Sequence, residues 1–219
     1  MDKTIGIITA NYSTKYPTVL SEARPVASMP FLGRYRVVDF ALSNMVNCGI
    51  RTVGMIMPYN YRSLIDHIGS GRDWDLNRKK GGLFILPGSA FGTSRTGSRF
   101  LLRDLAHNKV YMQRGSSELC IITSASFVFN MDYGQLANAH RESGADITVL
   151  TKTAEGKDVD VTGFNVEDGR VKGLKHGVDF GDTAFLDCFV IGRDLLLQML
   201  EWYAQTDYLD LFEALGTDY

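Results

Sequence analysis

The sequence is short of cysteine, balanced in charge and without long apolar runs, and each shortage removes a class of protein. Its 219 residues include three cysteines, Cys48, Cys120 and Cys188. An odd number, widely spaced among apolar neighbours, excludes a disulfide framework and a cysteine zinc site and points to buried thiols in a reducing cytoplasm. The formal net charge of -2 leaves no basic footprint for nucleic acid or an anionic membrane surface. No apolar run approaches the roughly 18 residues that a spanning helix needs, and no signal-peptide pattern opens the chain. A cytoplasmic protein is expected, with neither nucleic acid nor membrane as partner. Neither phosphate-binding glycine signature, the P-loop or the dinucleotide fingerprint, follows the first strand. Internal repeats and low-complexity linkers are also missing from the sequence.

What is present is an alternation of strand and helix patterns. Thr4 to Ala10 is a short β-rich apolar run that predicts a buried strand. A polar loop is expected from Asn11 to about Pro30. Apolar residues then recur at Val38, Leu42, Met45 and Val46, a helical stripe over Val37 to Cys48 that Gly49 ends. Thr52 to Met57 reads as a second buried strand, which completes a βαβ unit of the right-handed parallel kind. Helices are expected at Tyr61–Ile68, Phe100–Met112, Asp132–Ser143 and Asp194–Tyr203. Strands are expected at Leu119–Thr123, Ile147–Lys152 and Phe185–Ile191. Glycines at 163, 169 and 173 break Asp158–Gly177 into a hairpin. The predicted fold is α/β, a Rossmann-like, doubly wound and mostly parallel sheet with one β-hairpin excursion, built as one domain over residues 1–219. In such sheets a ligand binds at the C-terminal strand ends, here near the first loop.

Three stretches carry a family resemblance. Pro30-Phe31-Leu32-Gly33-Arg34-Tyr35-Arg36-Val37-Val38-Asp39-Phe40 runs into Leu42-Ser43-Asn44 and Asn47-Cys48-Gly49-Ile50. Asp66-His67-Ile68-Gly69-Ser70-Gly71 is followed by Trp74-Asp75-Leu76 and by Gly81-Gly82-Leu83-Phe84-Ile85-Leu86-Pro87. Asn130-Met131-Asp132-Tyr133 is the third. In this order and spacing they resemble bacterial glucose-1-phosphate adenylyltransferases (ADP-glucose pyrophosphorylases), which open glycogen synthesis. The resemblance implies the nucleotide-diphospho-sugar transferase fold. It also implies a chain truncated before a C-terminal left-handed β-helix domain.

The departures from that family lie where its chemistry is done. Active members have a glycine-rich loop after the first strand, whose backbone N–H groups close on the nucleotide phosphates and whose arginine neutralises them. Here Ala10 leads into Asn11-Tyr12-Ser13-Thr14-Lys15-Tyr16-Pro17, with no glycine and with Tyr16 in the arginine's place. The vacated nucleotide loop is therefore Asn11, Tyr12, Thr14, Lys15 and Tyr16, with the two tyrosines expected to plug the pocket. In active relatives an aspartate after the β-strand holds Mg²⁺. Counting back from Met131-Asp132-Tyr133, Ser126 stands at that position. A neutral hydroxyl is a poor inner-sphere ligand, so neither a metal nor another cofactor is expected. The family's sugar-phosphate lysine also lacks its neighbours, since only Lys175 lies nearby. Gly92-Thr93 is a weak counterpart of the threonine-aspartate turn, and Pro58 replaces the glutamine after the second strand.

Losing one pre-organised phosphate donor typically costs about 10²–10³ in rate, and losses within one catalytic unit act together. The resemblance thus implies a noncatalytic subunit that associates with a catalytic subunit of glucose-1-phosphate adenylyltransferase in a hetero-oligomer and activates it. Two alternatives stay open at this point. One is a weak adenylyltransferase using Lys15 and Lys175 in displaced roles. The other is a sugar-phosphate or nucleotide sensor acting alone. Arg24, Arg34 and Arg36 are candidates for binding a phosphorylated effector. The plainer expectation for the last two is that one pairs with Asp39 while the other stands in solvent. Arg78-Lys79-Lys80 is expected in a solvated loop, and His67 and His140 are expected to be hydrogen-bonded structural residues.

Overall fold

The computed structural model describes residues 3–10, 19–22, 24–88, 99–203 and 210–216. Ten strands and eight α-helices follow in chain order among them. The first half carries β1 (Thr4–Thr9), α1 (Val19–Glu22), β2 (Pro30–Phe31), β3 (Tyr35–Arg36), α2 (Val37–Asn47), β4 (Thr52–Met57), α3 (Arg62–Ile68) and β5 (Gly82–Pro87). The middle carries α4 (Leu102–His107), α5 (Lys109–Gln113), β6 (Leu119–Ser124), α6 (Tyr133–Ser143) and β7 (Ile147–Thr153). The last part carries β8 (Asp158–Glu167), β9 (Arg170–Val178), β10 (Thr183–Gly192), α7 (Arg193–Trp202) and α8 (Leu211–Gly216). No helix among the described residues is long and apolar enough to cross a membrane.

The main sheet runs β5-β4-β1-β6-β10-β8-β9, with β7 beside β10. Its first four strands are parallel. β10 then runs antiparallel to β6, β7 and β8, and β8 and β9 form the expected hairpin. Period-two alternation divides the apolar residues between two cores. Ile8, Met55, Ile121 and Val190 face α2, α3 and α6, while Ile7, Ile56, Ile122 and Phe189 face α4, α5, α7 and α8. Both faces are covered, which is why these strands read as continuous apolar runs. The fold is the expected α/β class.

Local chemistry sets the details. Gly49, at φ +79°, ends α2 as expected, and Gly144, at φ +59°, ends α6. Gly54 on β4 is needed for close packing: a Cβ there would lie 2.6 Å from Leu86 Cδ1 and 2.8 Å from Tyr111 Cε1. The Tyr111 hydroxyl crosses to donate to the Gly6 carbonyl at 2.9 Å, fastening α5 to β1.

Three elements differ from expectation. The helix expected over Phe100–Met112 is two helices, α4 and α5, meeting at Asn108. The Asn108 amide donates to Asp104 O and to Pro87 O, both at 2.8 Å, the backbone competition that makes asparagine an indifferent helix former. Gly82–Pro87 is a strand, β5, which pairs in parallel with β4. Within the expected polar loop, the described residues include α1 and a 3₁₀ turn over Val26–Ser28.

Candidate active site

The parallel strands point their C-terminal ends at one edge, where β1 closes on Thr9 and β6 on Ser124. Ala125 N–H donates to Thr9 O at 2.9 Å, so the turn after β6 starts directly beside the end of β1. Asn44 of α2 holds the rest of that turn. Its amide donates to Phe129 O at 3.0 Å, and its Oδ1 accepts from Met131 N–H at 3.4 Å. Asp132 then caps α6, accepting from Gly134 N–H at 2.7 Å and from the Cys48 thiol at 3.4 Å. The Gly134 amide, followed by Cys48, lowers the Asp132 pKa, as a helix-capping carboxylate requires. Asp132 is helix-starting, as its sequence position suggested.

Ser126 lies in this turn, half-buried, with its hydroxyl bonded to that of Ser124. It also donates to Asp187 Oδ2 at 3.2 Å. Asp187 lies in β10 between the stretches paired with β6 and with β8, where the register with β7 shifts. Its φ of +51° is unusual for a residue with a side chain. The same carboxylate oxygen is in ion-pair contact with Nε of Arg99, whose side chain is 7% exposed against 1% for Asp187. Arg99 also donates from Nη2 to Asp160 O in β8. Asp210 closes the far side: its carboxylate accepts from Arg99 N–H at 3.0 Å, Phe100 N–H at 2.8 Å and Phe212 N–H at 2.9 Å. Phe100, Phe164, Phe185, Phe189 and Phe212 stack edge to face or tilted on one another next to this network. In this apolar enclosure burial pushes the Asp187 carboxyl up to about 7, against the downward pull of Arg99, with Asp210 adding to the rise.

These donors do not suit Mg²⁺. A hard dication prefers several oxygens, carboxylate among them, whereas Ser126 offers a neutral hydroxyl and the Asp187 carboxylate is already held by a guanidinium. Among the described residues no group of three or more His, Cys, Asp or Glu side chains could hold a metal ion.

The other sequence candidates are scattered. Asn11, Tyr12, Thr14, Lys15 and Tyr16 lie outside the described residues, as do Gly92 and Thr93. Lys175 is tied to Asp182, the main reason its pKa is raised. Arg24 lines an open depression of about 690 Å³ with Tyr59, Asn60, Tyr61, Arg62, Ser63 and Asp66. Arg36 reaches the same helix start by donating to Ser63 O. Arg34 stands exposed on the turn between β2 and β3. The side-chain partner of Asp39 is His67, at 2.6 Å, rather than an arginine. Arg36 meets that carboxylate through its backbone N–H at 2.9 Å, because Arg36 precedes α2 and Asp39 sits in its first turn. His140 bonds Thr148 Oγ1 at 2.9 Å, and Arg78, Lys79 and Lys80 are exposed. Arg99, Asp187 and Asp210 were not among the sequence candidates. The available signal was an aspartate within the apolar run Phe185-Leu186-Asp187-Cys188-Phe189, since a charge in a buried strand demands a partner.

Comparison with known proteins agrees with this fold. The profile of the nucleotidyl transferase family matches residues 18–175, and the chain belongs to that family. It is 39% identical over 152 residues to the glycogen biosynthesis protein GlgD of Geobacillus stearothermophilus, covering 68% of this chain and 43% of that protein. With the glucose-1-phosphate adenylyltransferase of Thermotoga neapolitana it shares 32% identity over 210 residues, covering 91% of this chain and 48% of that protein. The chain thus spans less than half the length of either relative. A crystal structure of a candidate glucose-1-phosphate thymidylyltransferase from Bacillus anthracis, bound to sucrose, superposes with a TM-score of 0.73. It has 12% identity and covers 96% of this chain and 80% of that one, a likeness of fold.

Proposed function

We propose that the chain is a noncatalytic, regulatory subunit that associates with a catalytic glucose-1-phosphate adenylyltransferase and raises its activity in glycogen biosynthesis. One observation carries the noncatalytic half: at the end of β6 a serine hydroxyl and a guanidinium-bound carboxylate stand where a phosphoryl-transfer site of this family needs a metal-binding carboxylate. A positive charge already fixed there supports a reading without Mg²⁺, and no other cofactor is invoked. Likeness to proteins named for glycogen biosynthesis and to adenylyltransferases supports the pathway. Activation would arise by binding one conformation of the catalytic subunit better than another, since only differential affinity shifts an equilibrium. Arg24 and Arg62, facing one depression, are the arginines best placed to receive a phosphorylated effector. A cytoplasmic location follows from the proposed partner.

The test is ADP-glucose formation by the purified chain alone, by a catalytic subunit alone, and by the two mixed. Activation only on mixing supports the proposal. Turnover by the chain alone would favour a weak adenylyltransferase, and neither turnover alone nor activation on mixing would leave only a sensor.

A further inference from the structure

The Arg99–Asp187 pair has a shape that its role in packing does not explain. Asp187 Oδ2 accepts from the Ser126 hydroxyl and is in ion-pair contact with the Arg99 guanidinium, so a donor and a positive charge meet at one oxygen, as they do at an oxygen of a bound phosphate. Both charged side chains are buried, and a buried guanidinium needs an anion beside it. The aspartate's backbone is held at φ +51°, a conformation that glycine adopts without penalty. A small cavity of about 50 Å³ adjoins the carboxylate, lined in part by Thr162, His176 and Gly177 of the β8–β9 hairpin.

We propose that Asp187 is a built-in anion: its carboxylate fills an oxyanion cradle made by Arg99 and Ser126, and removing it opens that cradle to phosphate. The ligand class is a phosphate dianion, free or as a sugar monoester. Asp160, Asp210 and Glu213 line the same cavity and oppose an incoming anion, which weakens its binding. Asp210 opposes it least, because its carboxylate is committed to three backbone N–H groups. In the native chain the cradle is closed from within, and phosphate has no access to Arg99.

The experiment is thermal unfolding of the isolated chain at pH 8 across a series of inorganic phosphate and, in parallel, glucose 1-phosphate, with sulfate-free chloride buffer at matched ionic strength as reference. The wild-type chain and Asp187→Asn, whose amide still fills the cradle, are expected to show no specific response. Asp187→Gly is expected to lose stability in chloride and to regain about 5–10 °C in Tm at phosphate about 100-fold above its Kd. Asp187→Gly with Arg99→Leu is expected to lose that regain. Response to inorganic phosphate alone marks a free-anion cradle; a larger response to glucose 1-phosphate marks one that also takes the sugar. An equal response of wild type and Asp187→Gly overturns the proposal, as does a response that survives Arg99→Leu. Asp187→Ala is carried in parallel, and failure of both single variants to fold at any phosphate concentration also overturns it. Only the chain itself is assayed, so the outcome does not depend on whether it joins a catalytic subunit.

Discussion

Asp132, which caps α6, and Asp187, which accepts from Ser126, meet opposite environments. Asp132 caps α6 at the surface, takes a backbone N–H from two residues ahead, and has its pKa lowered. Asp187 is enclosed by phenylalanines and the β10 bulge, pairs with an arginine far away in sequence, and has its pKa raised to about 7. One carboxylate serves local structure, and the other holds together segments distant in the chain. The contrast shows that the corner beside the end of β6 is maintained by long-range ionic packing.

Breaking the buried pair from one side is expected to have the largest effect. At pH 8, above the value at which Asp187 gives up its proton, Arg99→Ala leaves an uncompensated carboxylate in an apolar enclosure and should cost about 3–5 kcal/mol in denaturant unfolding. Replacing both partners by apolar residues should cost less than Arg99→Ala alone, since no charge is then stranded. Gly54→Ala follows, at about 1–3 kcal/mol, because its Cβ meets Leu86 Cδ1 and the buried Tyr111 ring, which its bond to the Gly6 carbonyl holds in place.

The pH dependence separates the two aspartates further. The Asp187 carboxyl holds a proton in the folded chain up to about 7, against its ordinary value of 3.8. Between those values the native state binds more protons than the unfolded one, so this group's contribution to stability is full below the ordinary value and is lost as pH rises to about 7. Asp187→Asn should remove that slope from a stability–pH profile. Asp132 acts in the other direction, since its folded pKa is lowered: its contribution is present above the ordinary carboxylate value and is lost on acidification. Asp132→Ala should lower Tm less than Gly54→Ala does, and should do so at neutral pH but not in acid. The smallest effect is expected at Lys175, whose half-buried, solvent-screened ion pair with Asp182 should leave Tm nearly unchanged on Lys175→Ala.

The sequence was legible wherever a rule is local. The α2 stripe ending at Gly49, the Asp132 cap of α6, β4 from Thr52 to Met57 and the β8–β9 hairpin all rest on patterns within a few residues, and they stand where expected. The strand β5 was missed because a six-residue apolar run between glycines and a proline has no period to distinguish it from a loop until β4 pairs with it. The break at Asn108 was missed because the apolar stripe carries across it, and only the side-chain bonds to Asp104 and Pro87 reveal it. At the site, Ser126 was found by counting from a matched motif. Its partner Asp187 and the partner's partner Arg99 could not be found that way, because the contacts joining them are created by the β10 register and by the approach of β8.

All of this turns on the positive charge at the end of β6 being Arg99 and not a metal ion. Electron paramagnetic resonance of Mn²⁺, titrated into the chain at pH 8 with and without ATP and glucose 1-phosphate, reads that directly. The expected result is a free-ion signal undiminished by the protein, the same for wild type and for Ser126→Ala. A stoichiometric loss of that signal on adding wild-type chain, abolished by Ser126→Ala or Asp187→Asn, would contradict it.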